Sequence, residues 1–214
     1  MEYNYIEMRN IRLLDMDEGH ERPLKLLIKD MAKSYSDDKI KQINFITERL
    51  LKFCDQHVGL NSSQYMAHPI RVAQLVYGYQ YPNCPFHDVQ LALAHNYLEV
   101  SSNDTCLAMN FLGIEIFNEV EILTIDREKR WDDAYLTKYY NEINKCHLRV
   151  KLIKCCDKFD NLFLLQDNKS FETKNLYLNE IDKFVIPMAK NINNLFYRDF
   201  QEIFNKTKMI INEQ

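Results

Sequence analysis

The stretch Leu91-Ala92-Leu93-Ala94-His95-Asn96-Tyr97-Leu98-Glu99 sets an imidazole, an amide and a carboxylate into an otherwise apolar run. Leu91, Leu93, Ala94 and Leu98 predict a buried helix. On that helix His95 and Glu99, four residues apart, would share a face. Such groups in a core form either a satisfied polar pocket or a metal site. His68 and Asp157 pose the same question, the latter among Cys155, Cys156, Phe159 and Leu162. Read singly, a histidine at a helix start is a cap or a satisfied core group. Asp157 has Arg149, Lys154 and Lys158 at hand for an ion pair. Read together, two imidazoles, the Asn96 amide oxygen and one carboxylate make a mixed N/O donor set. That set suits Mn, Fe, Zn, Co or Ni better than Ca.

Helices must position these groups. Four glycines and five prolines in 214 residues, with Leu, Ile, Lys, Asn and Glu abundant, predict an all-α chain. Helices are expected over Ile6–Leu14, Glu21–Ser34 with Pro23 in its first turn, and Asp38–His57, capped by Ser36 or Asp37. A polar connection over 60–65 leads to a helix from Met66 to Tyr77, with Gly78 as its stop and His68 at its start. Tyr79–Pro85 reads as a loop and Phe86–Val100 as the central helix. Ser101-Ser102-Asn103-Asp104 reads as a turn. Thr105–Leu112 and Ile114–Thr124 follow as helices, divided by Gly113. Asp126–Trp131 reads as a charged loop, and Asp132 or Asp133 caps a helix to Lys145. Its Tyr135, Tyr139 and Tyr140 read as amphipathic packing rather than a base-stacking platform. His147–Gln166 carries Asp157. Phe171–Lys190 is bent near its end by Pro187. Ile192–Ile211 closes the chain, with Phe196–Ile211 packing on the domain or on another copy of it. Residues 1–36 are expected to form a helical extension to one compact domain over 37–214.

Composition narrows the function classes. A formal charge of −4 leaves no basic footprint for nucleic acid. No apolar run approaches the roughly 18 residues of a membrane span. Met1-Glu2-Tyr3-Asn4-Tyr5 has neither the basic nor the apolar part of a signal peptide. The six cysteines form no Cys-x-x-Cys pair and read as reduced core thiols of a cytoplasmic protein.

In order along the chain, the segments resemble the HD superfamily of metal-dependent phosphohydrolases. Within it they are most similar to the RelA/SpoT-type hydrolase domain, which removes the 3′-pyrophosphate of (p)ppGpp. The resemblance runs from about His57 to Asn161 and more faintly to Lys190. His57-Val58-Gly59 is similar to the family's His-x-Gly turn. Tyr65-Met66-Ala67-His68-Pro69-Ile70-Arg71-Val72-Ala73 is similar to the segment with the first histidine ligand. His95-Asn96-Tyr97-Leu98-Glu99 stands where the His-Asp-x-x-Glu-Asp signature would be. Phe111-Leu112-Gly113, with Val120 and Thr124, resembles the phenylalanine-glycine turn and its helix. Val150 through Asn161 resembles the segment bearing the last aspartate ligand and a substrate-contacting asparagine. His87-Asp88 is a literal His-Asp pair, but it opens its helix beside Pro85. Asp88 therefore reads as a first-turn acid near the positive helix end.

The resemblance implies an HD-like multi-helix bundle with one divalent metal, Mn first among candidates, held by His68, His95, Asn96 and Asp157. It implies Glu99 as the group that positions or deprotonates the attacking water. Lys158 and Asn161 would face a small nucleotide or related phosphate ester. Asn96 replaces the family's aspartate, Val100 replaces the second acid of its Glu-Asp pair, and Leu60-Asn61-Ser62-Ser63-Gln64 lacks the family's basic residues. These departures define the alternative, a degenerate HD domain that binds a nucleotide or protein partner as a regulator.

Overall fold

A computed structural model describes residues 4–53, 59–101 and 105–213, with side chains omitted at 105–108. The expected His57-Val58 turn, Cys54 and the turn residues Ser102-Asn103-Asp104 lie outside the described residues. Every regular element among the described residues is helical. The chain is all-α, as composition and periodicity predict. Contacts divide it into two compact units, Met1–Leu13 with Ile125–Gln214, and Leu14–Thr124. The boundary expected at residue 36 falls inside the second of these.

The Leu14–Thr124 unit is built on α4 (Ser62–Gln80), which packs on α2 (Glu21–Met31) and α5 (Phe86–Ala94). α4 starts earlier than periodicity predicts because Asn61 and Gln64 form a reciprocal cap. The Asn61 side chain accepts from the Gln64 backbone N–H at 2.9 Å, and the Gln64 side chain accepts from the Asn61 N–H at 3.1 Å. The polar connection over 60–65 is therefore partly helical. Gly78 is not the stop; α4 runs two residues past it to Gln80. α3 (Asp37–Phe53) buries Ile43, Ile46 and Leu50 on the expected spacing. The end of α1 (Tyr5–Glu18) carries Asp15, fully buried and ion-paired with Arg22 and with Arg71, the latter at 3.0 Å. Two short helices, α6 (Tyr97–Val100) and α7 (Thr105–Leu112), precede α8 (Ile114–Leu123). Gly113, at φ +83°, makes the break between α7 and α8 that an L side chain would strain.

The other unit is organised around α10 (Leu148–Leu162). A 3-10 turn at Arg127–Lys129 precedes α9 (Asp133–Lys145), and Asp132 is the cap, accepting from Tyr135 N–H at 2.7 Å. The Tyr135 hydroxyl accepts the Asp126 backbone N–H at 2.7 Å, while Tyr139 and Tyr140 are buried, so these tyrosines do pack. α11 (Phe171–Glu180) passes through a π turn at Ile181–Val185 into α12 (Ile186–Lys190), with Pro187 just after the π turn. The wider turn absorbs the interruption of the ladder that a proline imposes. α13 (Asn194–Asn212) lays Phe196, Phe200, Ile203 and Phe204 against α10 and α12 of its own unit. Phe159 of α10 meets Phe163, Phe196 and Phe200 in the core. Arg12 stacks on Phe163 and pairs with the buried Asp160 at 2.7 Å.

Candidate functional site

His68 lies in the second turn of α4, one residue before Pro69, which sits inside the helix and removes one ladder bond. Its ring faces that of His95 edge-on, with centroids 5.4 Å apart. His95 is buried, and its Nδ1 lies 2.7 Å from the Ala92 carbonyl oxygen. A carbonyl can only accept, so Nδ1 carries a proton, and the tautomer this contact selects has its lone pair at Nε2. Backbone bonding of this kind fixes tautomer and ring plane in metal-ligating histidines.

The same contact corrects the expected central helix. Phe86–Val100 is not continuous: α5 ends at Ala94, His95 and Asn96 turn, and α6 begins at Tyr97. In a continued helix the Ala92 carbonyl would accept from the Asn96 N–H; the His95 ring takes that carbonyl instead. Asn96 sits at φ −105°, ψ 9°, and its carbonyl accepts the Glu99 N–H at 3.0 Å. His95 and Glu99 therefore stand on different helical segments, and the shared-face argument does not apply. Glu99 is half-buried on α6, while Val100 is fully in the core.

Asp157 lies on α10 and is 4% exposed. Lys154 Nζ is 3.2 Å from its Oδ2, and Asn161 Nδ2 donates to its Oδ1 at 2.7 Å. The ion pair expected of a buried carboxylate is thus present. Each carboxylate oxygen has two lone pairs, so neither contact excludes a further ligand. Lys158, expected to face a substrate, is buried and paired with Glu180 of α11 at 2.8 Å. Burial pulls the Lys158 ammonium down to about 8, with Glu180 acting against that shift. Glu180 is held below its ordinary value: burial raises it, and the Lys158 and Arg130 charges outweigh burial. Tyr140 also donates to Glu180, at 2.6 Å. Asn161, expected at the substrate, turns its amide to Asp157.

The remaining titratable groups have other employment. Asp88 is a first-turn acid of α5, buried and accepting from Gln80 at 3.1 Å, and His87 pairs with Glu119 at 3.0 Å. Cys155 and Cys156 are buried, Cys84 is buried with its thiol pushed up to about 11 by desolvation, and Cys146 is half-exposed. Sequence reasoning missed Glu180, Tyr177 and Arg130, which surround α10. Glu180 lies 22 residues from Lys158 in the chain, beyond any local spacing rule. Arg130-Trp131 carried a readable signal, a cation beside the only tryptophan.

The fold is similar to that of a solved metazoan ortholog of SpoT, a protein described as hydrolysing ppGpp and acting in starvation responses. The likeness covers 80% of this chain and 96% of that one, at 20% identity and a TM-score of 0.62. No protein-family model matches the chain, and no curated protein matches it by sequence. The structural neighbour is of the RelA/SpoT type that the sequence resembles. At this identity the likeness establishes the fold. Among the described residues no helix is long and apolar enough to cross a membrane.

Proposed function

We propose that the chain is a metal-dependent phosphohydrolase acting on a nucleotide such as (p)ppGpp or a related phosphate ester. The observation that carries this reading is the pair of imidazoles, His68 and His95, whose ring centroids lie 5.4 Å apart. Two imidazoles, with Asp157 as the carboxylate that this reading adds, fit one divalent ion of the Mn, Fe, Co, Ni or Zn class. The His95 tautomer, with Nε2 as the lone-pair atom, supports the same reading. In it Asn96 adds its amide oxygen to the donor set.

A divalent cation held there would polarise a phosphoryl oxygen and acidify a bound water. The chain supplies the rest. Asn161 and Lys154 orient Asp157 through one carboxylate oxygen each. Glu99 accepts the proton of the attacking water, general-base help worth about 10²–10⁴-fold. Lys158 serves the site indirectly, by holding Glu180 beside α10.

The alternative is a degenerate domain of the same fold that binds a nucleotide or protein partner without turnover. Val100 favours it: the position of the family's second acid is a fully buried valine. Elemental analysis of the purified protein, then phosphate and pyrophosphate release from a nucleotide panel including ppGpp with Mn²⁺, decides between them. Metal with turnover supports the enzyme; bound metal without turnover on any nucleotide supports the regulator; a protein that binds no divalent ion rules out the metal site.

A further inference from the structure

We propose that the groove between the start of α1 and the outer face of α13 is a two-fold interface with a second copy of this chain. The groove lies wholly within the unit of Met1–Leu13 and Ile125–Gln214, and the inference does not depend on the phosphohydrolase reading. Its volume is about 540 Å³, and it is open to solvent. The floor belongs to the core: Ile203 is buried, and the buried Tyr5 stacks on Phe163 with ring centroids 5.3 Å apart. The walls do not. Ile6 is 67% exposed and Met209 56%, the two highest values among the large apolar side chains of the described residues. Apolar side chains exposed singly are ordinary, but the two most exposed ones lining one concave surface mark an interaction site. A small-molecule pocket encloses most of its ligand; a groove this open cannot, and it suits a protein partner better.

The charges in the groove say which partner. Glu202 and Lys206 line it, four residues apart on α13 with the acid nearer the N-terminus, the order in which such a pair closes most favourably. They do not close: among the described residues neither makes an ion pair or a hydrogen bond. Exposed acid–lysine pairs one turn apart on other helices do, Glu21–Lys25 at 3.8 Å, Asp30–Lys33 at 2.6 Å and Glu142–Lys145 at 2.7 Å. The other polar lining residues are asparagines, so the groove carries one charge of each sign and no net charge. A partner of one dominant charge, such as a nucleic acid or an acidic peptide, gains nothing there. A second copy does. A two-fold axis across α13 sets the helix antiparallel to its twin, so that Glu202 of one copy meets Lys206 of the other, and the reverse. The same operation lays Ile6 and Met209 of each copy on the groove of the other and takes them out of water. The crossed charge pairs fix the register, and the apolar side chains supply the attraction.

The test is sedimentation equilibrium of the full chain, from micromolar to submillimolar concentration, on wild type, Glu202→Lys, Lys206→Glu, the double variant E202K/K206E and Met209→Lys. Far-ultraviolet circular dichroism on the same samples checks folding, which all the variants keep because the three positions are exposed. Wild type dimerises. Each single charge reversal sets like charges together twice across the axis and weakens the dimer about 10–100-fold. The double variant exchanges the two charges, restores both crossed pairs and returns to within about threefold of wild type. M209K weakens the dimer about tenfold or more. A wild type that stays monomeric throughout overturns the interface; if native mass spectrometry then finds a small molecule retained, the groove is a ligand site instead. A dimer indifferent to all four variants is formed by another surface and overturns it equally. A double variant as weak as the single ones overturns the crossed pairing of Glu202 with Lys206, and the two-fold arrangement with it.

Discussion

α5 carries His95 at the end of Val89, Leu91, Ala92, Leu93 and Ala94, all of them in the core, and the imidazole is held by a main-chain carbonyl. α10 carries Asp157 between two buried lysines, in a network with Asn161, Glu180, Tyr140 and Arg130. A neutral ring can be oriented by one backbone hydrogen bond and needs no counter-charge. A carboxylate cannot be buried that way, and its helix accumulates opposite charges, each of which needs a partner of its own. The two candidate ligand helices should therefore answer mutation in opposite ways: one should lose binding and keep its stability, the other should lose stability first.

The largest effect is expected on α10. Lys158→Met removes the cation paired directly with the buried Glu180, and breaking a buried pair from one side costs about 3–5 kcal/mol. Chemical denaturation should show that loss, and Lys158→Met/Glu180→Leu should be less destabilised than K158M alone. A K158M protein as stable as wild type would erase the contrast. Next comes His95→Gln. Loss of its bond to the Ala92 carbonyl costs about 1 kcal/mol, yet the change should weaken Mn²⁺ binding by at least the ~10–100-fold that even outer partners of a metal cost. Titration calorimetry beside a thermal melt separates the two quantities. A smaller change is expected from Asn96→Asp, which gives the donor set a second carboxylate. Mn²⁺ should bind about tenfold more tightly, equivalent to ~1.4 kcal/mol, with Tm little altered. Turnover that appears only in N96D would favour the regulatory reading of the natural chain.

The smallest effect belongs to His20, in the histidine-bearing unit. It follows Gly19, held at φ +87° against Ser63, and its Nδ1 lies 2.7 Å from the Ser63 hydroxyl oxygen. Burial lowers its pKa below 6.5, with Glu21 opposing. As pH falls through 6.5 the unfolded chain gains this proton first, so stability declines until the lowered folded pKa is passed, then levels. His20→Gln should flatten that part of the stability–pH curve. If the slope persists unchanged, another group is responsible.

Much of the scaffold was legible because it rests on local rules. Ile43, Ile46 and Leu50 mark the inner face of α3 by spacing alone, and Asp132 caps α9 as its side-chain type predicts. The start of α4 was equally local and was overlooked: Asn61 and Gln64, three apart, are a capping-box signature. Gly78 misled because tertiary packing overrides propensity; Val76 and Tyr77 beside it are buried, and the helix continues. The break at His95 was not legible. It depends on which acceptor an imidazole takes, and periodicity carries no information on that. His68, His95 and Asp157 stood out as polar groups in apolar runs. Their surroundings did not: Glu180, Tyr177 and Arg130 reach α10 from segments that no spacing rule connects to it.

Because the imidazole of His95 is spliced into the hydrogen-bond ladder of α5, its aim is inherited from the backbone and does not wait for a cation to arrive. In the metal reading, that part of the proposed centre is preformed. Loading it should leave the far-ultraviolet circular dichroism spectrum unchanged, and uptake should be limited by ion dehydration rather than by any rearrangement of the polypeptide.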